Sequence, residues 1–155
     1  MIFWTTLLII HGLLALALLG AVTHQTAALW WPVRAPAGSF VTRFRAVPGT
    51  SYVTAVIVLY IITFIMGAWI YTQYRFTSRL ALEQLRFFKT VGAFELKEHV
   101  ATIGLLLLPA YWAFWRAPLN PDPRARKQVT LLLAILVWAS FLIGHITNNA
   151  RGMGS

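Results

Sequence analysis

Four long apolar runs, separated by short basic connections, constrain this chain more than any other feature. They lie at about Ile2–Leu29, Tyr52–Tyr71, Val91–Trp115 and Val129–Ile146. A helix needs about 20 apolar residues, within a range of about 17–25, to cross the hydrocarbon layer of a bilayer. None of the runs shows the alternation that membrane-spanning barrel strands show. The sequence therefore predicts an all-α integral membrane protein, folded as one domain that is a four-transmembrane-helix bundle.

The composition agrees with a membrane location. The 155 residues are 59% hydrophobic and 11% charged, whereas soluble domains average about 25% charged residues. Thirteen Lys and Arg against four acids give a formal net charge of +9, but these bases lie between the apolar runs, where membrane-flanking residues belong. The expected partners are bilayer lipids and other membrane protein subunits, with no nucleic acid. The lack of cysteine excludes disulfides and thiolate metal sites.

The residues on either side of the first run, together with its length, indicate whether it is retained as a span and how it is oriented in the membrane. No basic segment precedes it, and it is longer than the apolar stretch of about 7–15 residues in a signal peptide, so we expect it to be retained. The connection that follows carries Arg34, Arg43 and Arg45. Because the first span often sets the topology, this charge predicts an N-terminus outside, with the bacterial inner membrane as the expected location.

The connection between the second and third runs has an amphipathic pattern. Arg75, Arg79, Arg86 and Lys89 are interspersed with leucine and phenylalanine in this connection. Such a pattern is typical of a segment that lies in the membrane interface. We expect an interfacial amphipathic segment between helices 2 and 3 that continues as a helix into the third span.

Ionisable side chains within the spans are the main indicator of function, because such groups are costly in a bilayer. The histidines are His11, His24, His99 and His145, and two of the four acids, Glu95 and Glu98, lie within one turn of His99. At about 100° per residue, Glu95, Glu98 and His99 share one arc of the third helix. This arc is the predicted bundle-facing stripe, continued by Gly92, Thr102, Leu106 and Pro109, whereas Lys97 is expected to point away towards the headgroups.

The helical rise places most of these groups in one half of the membrane. At about 1.5 Å per residue, His11 lies roughly 13 Å, His99 roughly 12 Å and His145 about 5 Å from the same side. His24 lies near the opposite side and is rotated by about 140° from His11 around the first helix. The sequence thus predicts that three histidines and both glutamates converge.

Facing histidines in a helical bundle favour a b-type haem held between helices 1, 3 and 4. The first predicted axial pair is His11 with His99, and the second is His99 with His145. Glu95 or Glu98 would accept the other ring N–H of a ligating histidine. A bound quinone would exchange electrons with this haem within a larger complex. Tyr60, Tyr71 and Trp138 are candidates for walls that pack on its ring, and ordinary packing in the core or at the membrane interface is the favoured alternative for them.

This arrangement is similar in outline to the small four-helix, haem-bearing anchor subunits of respiratory complexes. The resemblance implies at most an electron-transfer subunit of an oxidoreductase complex, since a fold alone does not determine a function. Two alternatives stay open. One is a cofactor-free structural or assembly subunit whose polar stripe binds partner helices. The other is a single-metal or proton-handling site at Glu95, Glu98 and His99, whose oxygen and nitrogen atoms suit several transition metals.

Overall fold

The computed structural model describes residues 2–32, 38–116 and 123–152, with side chains described as far as residue 148, so Arg34 lies outside the described residues. Every regular element in these ranges is helical. The helices are α1 Ile2–Trp30, α2 Phe40–Arg45, α3 Val53–Phe76, α4 Ser78–Gln84, α5 Phe88–Trp115 and α6 Pro123–Gly152, and a 3₁₀ turn at Gly49–Tyr52 precedes α3.

The four long helices α1, α3, α5 and α6 contact one another in a ring. Helix α1 packs against α3 and α6, and α5 packs against the same two neighbours. The segments Ile2–Trp30, Gly49–Phe76 and Pro123–Asn148 are long and apolar enough to cross a membrane. Helix α5 has a similar length of 28 residues, but its first three turns carry four charged side chains, and it is not among these segments. The predicted membrane character is thus confirmed by three helices.

The polarity of the surface supports a lipid environment. Large apolar side chains such as Leu13, Leu106 and Ile135 are exposed on the outside of the molecule, whereas Gln25 and Thr130 are buried inside it. This distribution is the reverse of that in a water-soluble protein, and it suits a lipid solvent in which polar groups need partners within the protein.

One end of the helix ring, here named the packed end, contains the C-terminal half of α1 and the beginning of α3. Gln25 of α1 is fully buried there. The Tyr111 hydroxyl donates to Gln25 Oε1 at 2.6 Å, and Gln25 Nε2 donates to the Gly49 carbonyl at 3.0 Å. Trp115 Nε1 donates to Thr130 Oγ1 at 2.9 Å, which links α5 to α6. These bonds join all four long helices or their adjoining turn.

A second joint lies halfway along α3 and α5. The Tyr60 hydroxyl donates to the backbone carbonyl of Ala101 at 2.8 Å. A Cβ atom on Gly104 would collide with this hydroxyl. Glycine at position 104 therefore allows the close approach on which the interhelical bond depends.

We expect Gly104→Ala to destabilise the protein by about 1–3 kcal/mol, the usual cost of overpacking. The added methyl group displaces the Tyr60 hydroxyl and breaks its bond to α5. Thermal unfolding in detergent measures the effect. Gly12→Ala is the matched control, because a Cβ there meets no atom within 4 Å. Equal unfolding midpoints for the two variants would contradict the prediction.

The connection between α3 and α5 differs from the predicted continuous helix. A separate helix, α4, is present, and the chain turns at Arg86, whose φ is 61°. The Phe87 N–H bonds to the Leu82 carbonyl at 2.8 Å and the Arg86 N–H to the Glu83 carbonyl at 3.0 Å. This pair of bonds around a left-handed residue is a Schellman motif, which terminates a helix. An amphipathic segment is present, but it ends before the next long helix begins.

Candidate functional site

A cavity of about 500 Å³ lies among the four long helices, in the half of the molecule that contains the N-terminal part of α1. Its volume falls within the range of about 300–1,000 Å³ that ligand sites occupy. The side chains that line it and enter the argument below are His11, Ala15 and Leu18 of α1; Tyr60, Thr63, Gly67, Gln73 and Tyr74 of α3; Phe94, Lys97 and Glu98 of α5; and Val137, Ser140 and His145 of α6.

His11 is placed against the backbone of α3. A Cβ atom on Gly67 would lie 3.2 Å from Cε1 of His11, so the absence of a side chain at Gly67 makes room for the imidazole. The Nδ1 atom of His11 is buried and has no hydrogen-bond partner among the described residues. Ala15 and Leu18 follow His11 on the same face, as the helical period predicts.

Lys97 and Glu98 form an ion pair on the α5 side of the cavity. Lys97 Nζ lies 2.8 Å from Glu98 Oε1, with the two side chains 15% and 26% exposed. The ammonium group also lies 4.2 Å from the centroid of the Phe94 ring. Both side chains line the cavity that His11 also lines. The expectation that Lys97 points away from the bundle is therefore wrong.

The rotation of α5 explains this difference. Its buried residues in the second half of the helix are Gly104, Leu108, Tyr111 and Trp115. On the same face, Ala101 lies three residues before Gly104, and Lys97 lies four residues before Ala101. Leu106, which the predicted stripe included, is exposed. The contacts of Gly104 and Tyr111, rather than the polar residues, determine which face of α5 lies inside.

His99 and Glu95 consequently lie outside the cavity. His99 is exposed, and its Nδ1 lies 2.8 Å from the backbone carbonyl of Glu95. The Glu95 carboxylate accepts from Arg79 Nη1 of α4 at 2.8 Å. Of the three residues that were expected to share one stripe, only Glu98 reaches the cavity. Both predicted axial pairs contained His99, whereas the cavity brings together His11 and His145.

Arg79 connects α4 to α5 beside the cavity. Its guanidinium donates to Glu83 at 2.8 Å on its own helix and to Glu95 at 2.8 Å on α5. The hydrogen bond that Arg79 donates to Glu83 and the charge of Glu95 raise the pKa of Arg79 above its usual value, so this side chain stays charged. The network holds α4 where Ser78 and Leu82 contribute to the cavity wall.

Unpaired polar atoms concentrate around this cavity. Within the described ranges, five buried side-chain nitrogen or oxygen atoms lack a hydrogen-bond partner, and four of them belong to residues that line the cavity. These four are His11 Nδ1, Thr63 Oγ1, Tyr74 Oη and Ser140 Oγ. An unpaired buried polar atom costs about 1–3 kcal/mol, so the cavity is suited to a ligand that offers hydrogen-bonding groups. The sequence did not single out Tyr74 or Ser140, since hydroxyls in membrane helices commonly serve packing.

His24 belongs to the packed end and has a structural role there. Its Nε2 donates to the Phe44 carbonyl at 2.9 Å, and its ring packs 4.7 Å from that of Phe44 and 4.6 Å from that of Tyr52. These contacts attach α2 and the 3₁₀ turn to α1. The sequence placed His24 apart from the other histidines, and the structure agrees.

Glu95, Glu98 and His99 do not form a metal-binding group. Across residues 2–32, 38–116 and 123–148, no three histidine or acidic side chains come together in a way that could hold a metal ion. Glu95 pairs with Arg79, Glu98 pairs with Lys97, and His99 bonds to the backbone of its own helix.

No protein-family model, curated protein or solved structure matches this chain.

Proposed function

We propose that this protein is a membrane-integral electron-transfer subunit that binds a b-type haem in the cavity, with all four long helices spanning the bilayer. One observation carries the proposal: His11 of α1 and His145 of α6 line the same cavity, on helices that pack against each other. Helical bundles commonly hold haem and metals between side chains of facing helices. Imidazole is an established axial ligand of haem iron.

The residues present fit such a group. His11 has a ring nitrogen without a protein partner, and Gly67 leaves space beside its imidazole. Ala15, Leu18 and Val137 line the cavity with apolar atoms that exclude water. A ligating histidine usually donates its second N–H to a carboxylate or carbonyl, and Glu98 is the carboxylate among the described lining residues.

The chain contributes binding, orientation and exclusion of water. When bound, a haem supplies a one-electron redox centre within the bilayer. His11 and His145 would hold it. At the cavity wall, the charges of Lys97 and Glu98 neutralise each other in an ion pair. Little of the described chain lies outside the helices, which suits a subunit that exchanges electrons with other membrane components.

The test is an absorption spectrum of the protein purified in mild detergent from a haem-replete host. We expect a Soret band and a dithionite-reduced α-band, with a pyridine haemochrome assay that gives about one haem b per chain, as one pair of axial histidines implies. A monodisperse preparation without either band, even after incubation with haemin, would overturn the proposal. It would leave the cofactor-free structural subunit as the better description.

A quinone is a second candidate ligand for the same cavity. The unpaired hydroxyls of Thr63, Tyr74 and Ser140 are neutral donors that match the neutral carbonyl oxygens of a quinone ring. Of the predicted ring-packing walls, Tyr60 lines the cavity, whereas Tyr71 and Trp138 do not. Quinone recovered by solvent extraction from a haem-free preparation would favour this candidate over haem.

A further inference from the structure

We infer that the cavity imposes one orientation on the haem, with its carboxylates towards α4, and that the Tyr74 hydroxyl donates a hydrogen bond to one of them. This inference rests on the proposed function, since it concerns the same cavity. It assigns to Tyr74 the selection of a porphyrin that carries free carboxylates.

The polarity of the lining changes along the cavity. Towards the packed end the walls are apolar, with Ala15, Leu18 and Val137, and the Tyr60 hydroxyl there is already bonded to Ala101. At the opposite end polar residues join apolar ones such as Leu8 and Leu82 in the lining, and these polar residues include Gln73, Tyr74, Thr77, Ser78 and Asn148. A molecule with one apolar edge and one carboxylate edge, such as haem b, matches this gradient in a single direction.

The spacing along α3 places Tyr74, at the polar end of the cavity, at a suitable distance from His11. Gly67 contacts the His11 ring, and Tyr74 lies seven residues further along the helix, or roughly 10 Å at the usual helical rise. An iron held at the level of His11 would therefore leave one edge of the porphyrin near Tyr74.

The Tyr74 hydroxyl is buried and oriented in a way that suits a hydrogen bond to a carboxylate of the ligand. Its side chain is 7% exposed, and its hydroxyl lacks a partner within the described part of the chain. The ring stacks on that of Phe94 with 4.0 Å between centroids and lies 5.9 Å from Tyr71. This stack fixes the direction of the hydroxyl, so that little further ordering is needed when an acceptor arrives. A carboxylate oxygen would satisfy the donor that the protein leaves unpaired.

The charge of this end complements two carboxylates. Residues 75–98 contain five bases and three acids, a net charge of +2; the bases are Arg75, Arg79, Arg86, Lys89 and Lys97, and the acids are Glu83, Glu95 and Glu98. All three acids are paired with Arg79 or Lys97. The excess positive charge is carried by Arg75, Arg86 and Lys89, which are exposed and are not among the residues that line the cavity. This charge favours carboxylates at this end of the molecule through the field around it, whereas the direct contact is left to Tyr74.

The experiment compares haemin with haemin dimethyl ester, which lacks the negative charges, as probes for the apoprotein and its Tyr74→Phe variant. The wild type should bind haemin more tightly than the ester. Tyr74→Phe keeps the stacked ring and removes only the donor, so it should weaken haemin binding about tenfold. It should weaken ester binding less, because the neutral ester carbonyl is a weaker acceptor than a carboxylate. Tyr71→Phe is the matched control, because Tyr71 belongs to the same stack but does not line the cavity.

The outcomes separate this inference from the proposed function. If the wild type binds haemin but Tyr74→Phe binds it equally well, the role of Tyr74 is refuted while the haem proposal stands. An equal loss of haemin and ester binding in Tyr74→Phe would also refute it, because the effect would then be structural. A wild type that binds neither probe overturns the haem proposal itself.

Discussion

His11→Ala is expected to abolish haem binding, and His145→Ala is expected to do the same. Each change removes one imidazole from the cavity, and the apolar side chains around it could not supply the iron ligand that the proposal assigns to that histidine. The loss is measured as disappearance of the reduced α-band at a protein yield equal to that of the wild type. Because Gly67 packs against the His11 ring, a smaller side chain at position 11 leaves space rather than a collision, and folding should persist.

His99→Ala is the decisive control for this prediction. His99 is exposed and bonds to the backbone of its own helix, so its removal should leave the haem spectrum unchanged. His24→Ala should also retain haem, since His24 belongs to the packed end. The ligand pairs inferred from the sequence make the reverse prediction for His99. Loss of haem in His99→Ala together with its retention in His11→Ala would show that the cavity is not the haem site.

Gln25→Leu is expected to lower the free energy of unfolding by about 2–4 kcal/mol. Leucine has a similar size but cannot bond to the Tyr111 hydroxyl or the Gly49 carbonyl, so both groups would be left buried and unpaired. Each unpaired group costs about 1–3 kcal/mol, although interhelical hydrogen bonds in membranes are commonly at the low end, about 0.6–2 kcal/mol. Unfolding by dodecyl sulfate in mixed micelles measures the change.

A double variant tests the cause of this loss. Gln25→Leu with Tyr111→Phe removes both ends of the interhelical bond, and it should be more stable than the sum of the single effects predicts. Gln84→Leu is the matched control, because Gln84 lies on the exposed face of α4 and should change stability by less than about 0.5 kcal/mol. Strict additivity in the double variant would show that the bond between Gln25 and Tyr111 contributes nothing.

Much of the fold could be predicted from the apolar runs. The structure has long helices over all four, with α3 continuing to Phe76 and α6 beginning at Pro123. The length of an apolar run and the need to pair backbone groups in lipid are local properties, which a single sequence records. The Schellman turn at Arg86 was missed, because a left-handed arginine leaves no glycine to mark the end of the helix.

The candidate site could be predicted only in part. His11, Glu98 and His145 were named from the sequence and line one cavity, whereas Glu95 and His99 were named with them and lie outside it. His99 and Lys97 lie about half a turn apart on α5. Polarity does not indicate which of them faces the cavity, since both are ionisable residues in an apolar helix. The sequence-based prediction places polar residues on the inward face, but His99 forms its hydrogen bond with the backbone of its own helix.

The sequence by itself determined that this chain forms long membrane helices, and it predicted that three of the four histidines and two of the four acids lie in one half of them. Only the tertiary structure decided which of those groups meet. A helix can turn about its own axis without changing its hydrogen bonds, so its rotation depends on side chains that fit their neighbours. For α5 that fit is made by Gly104 against Tyr60 and by Tyr111 against Gln25. These contacts bring Glu98 to the cavity and place His99 outside it.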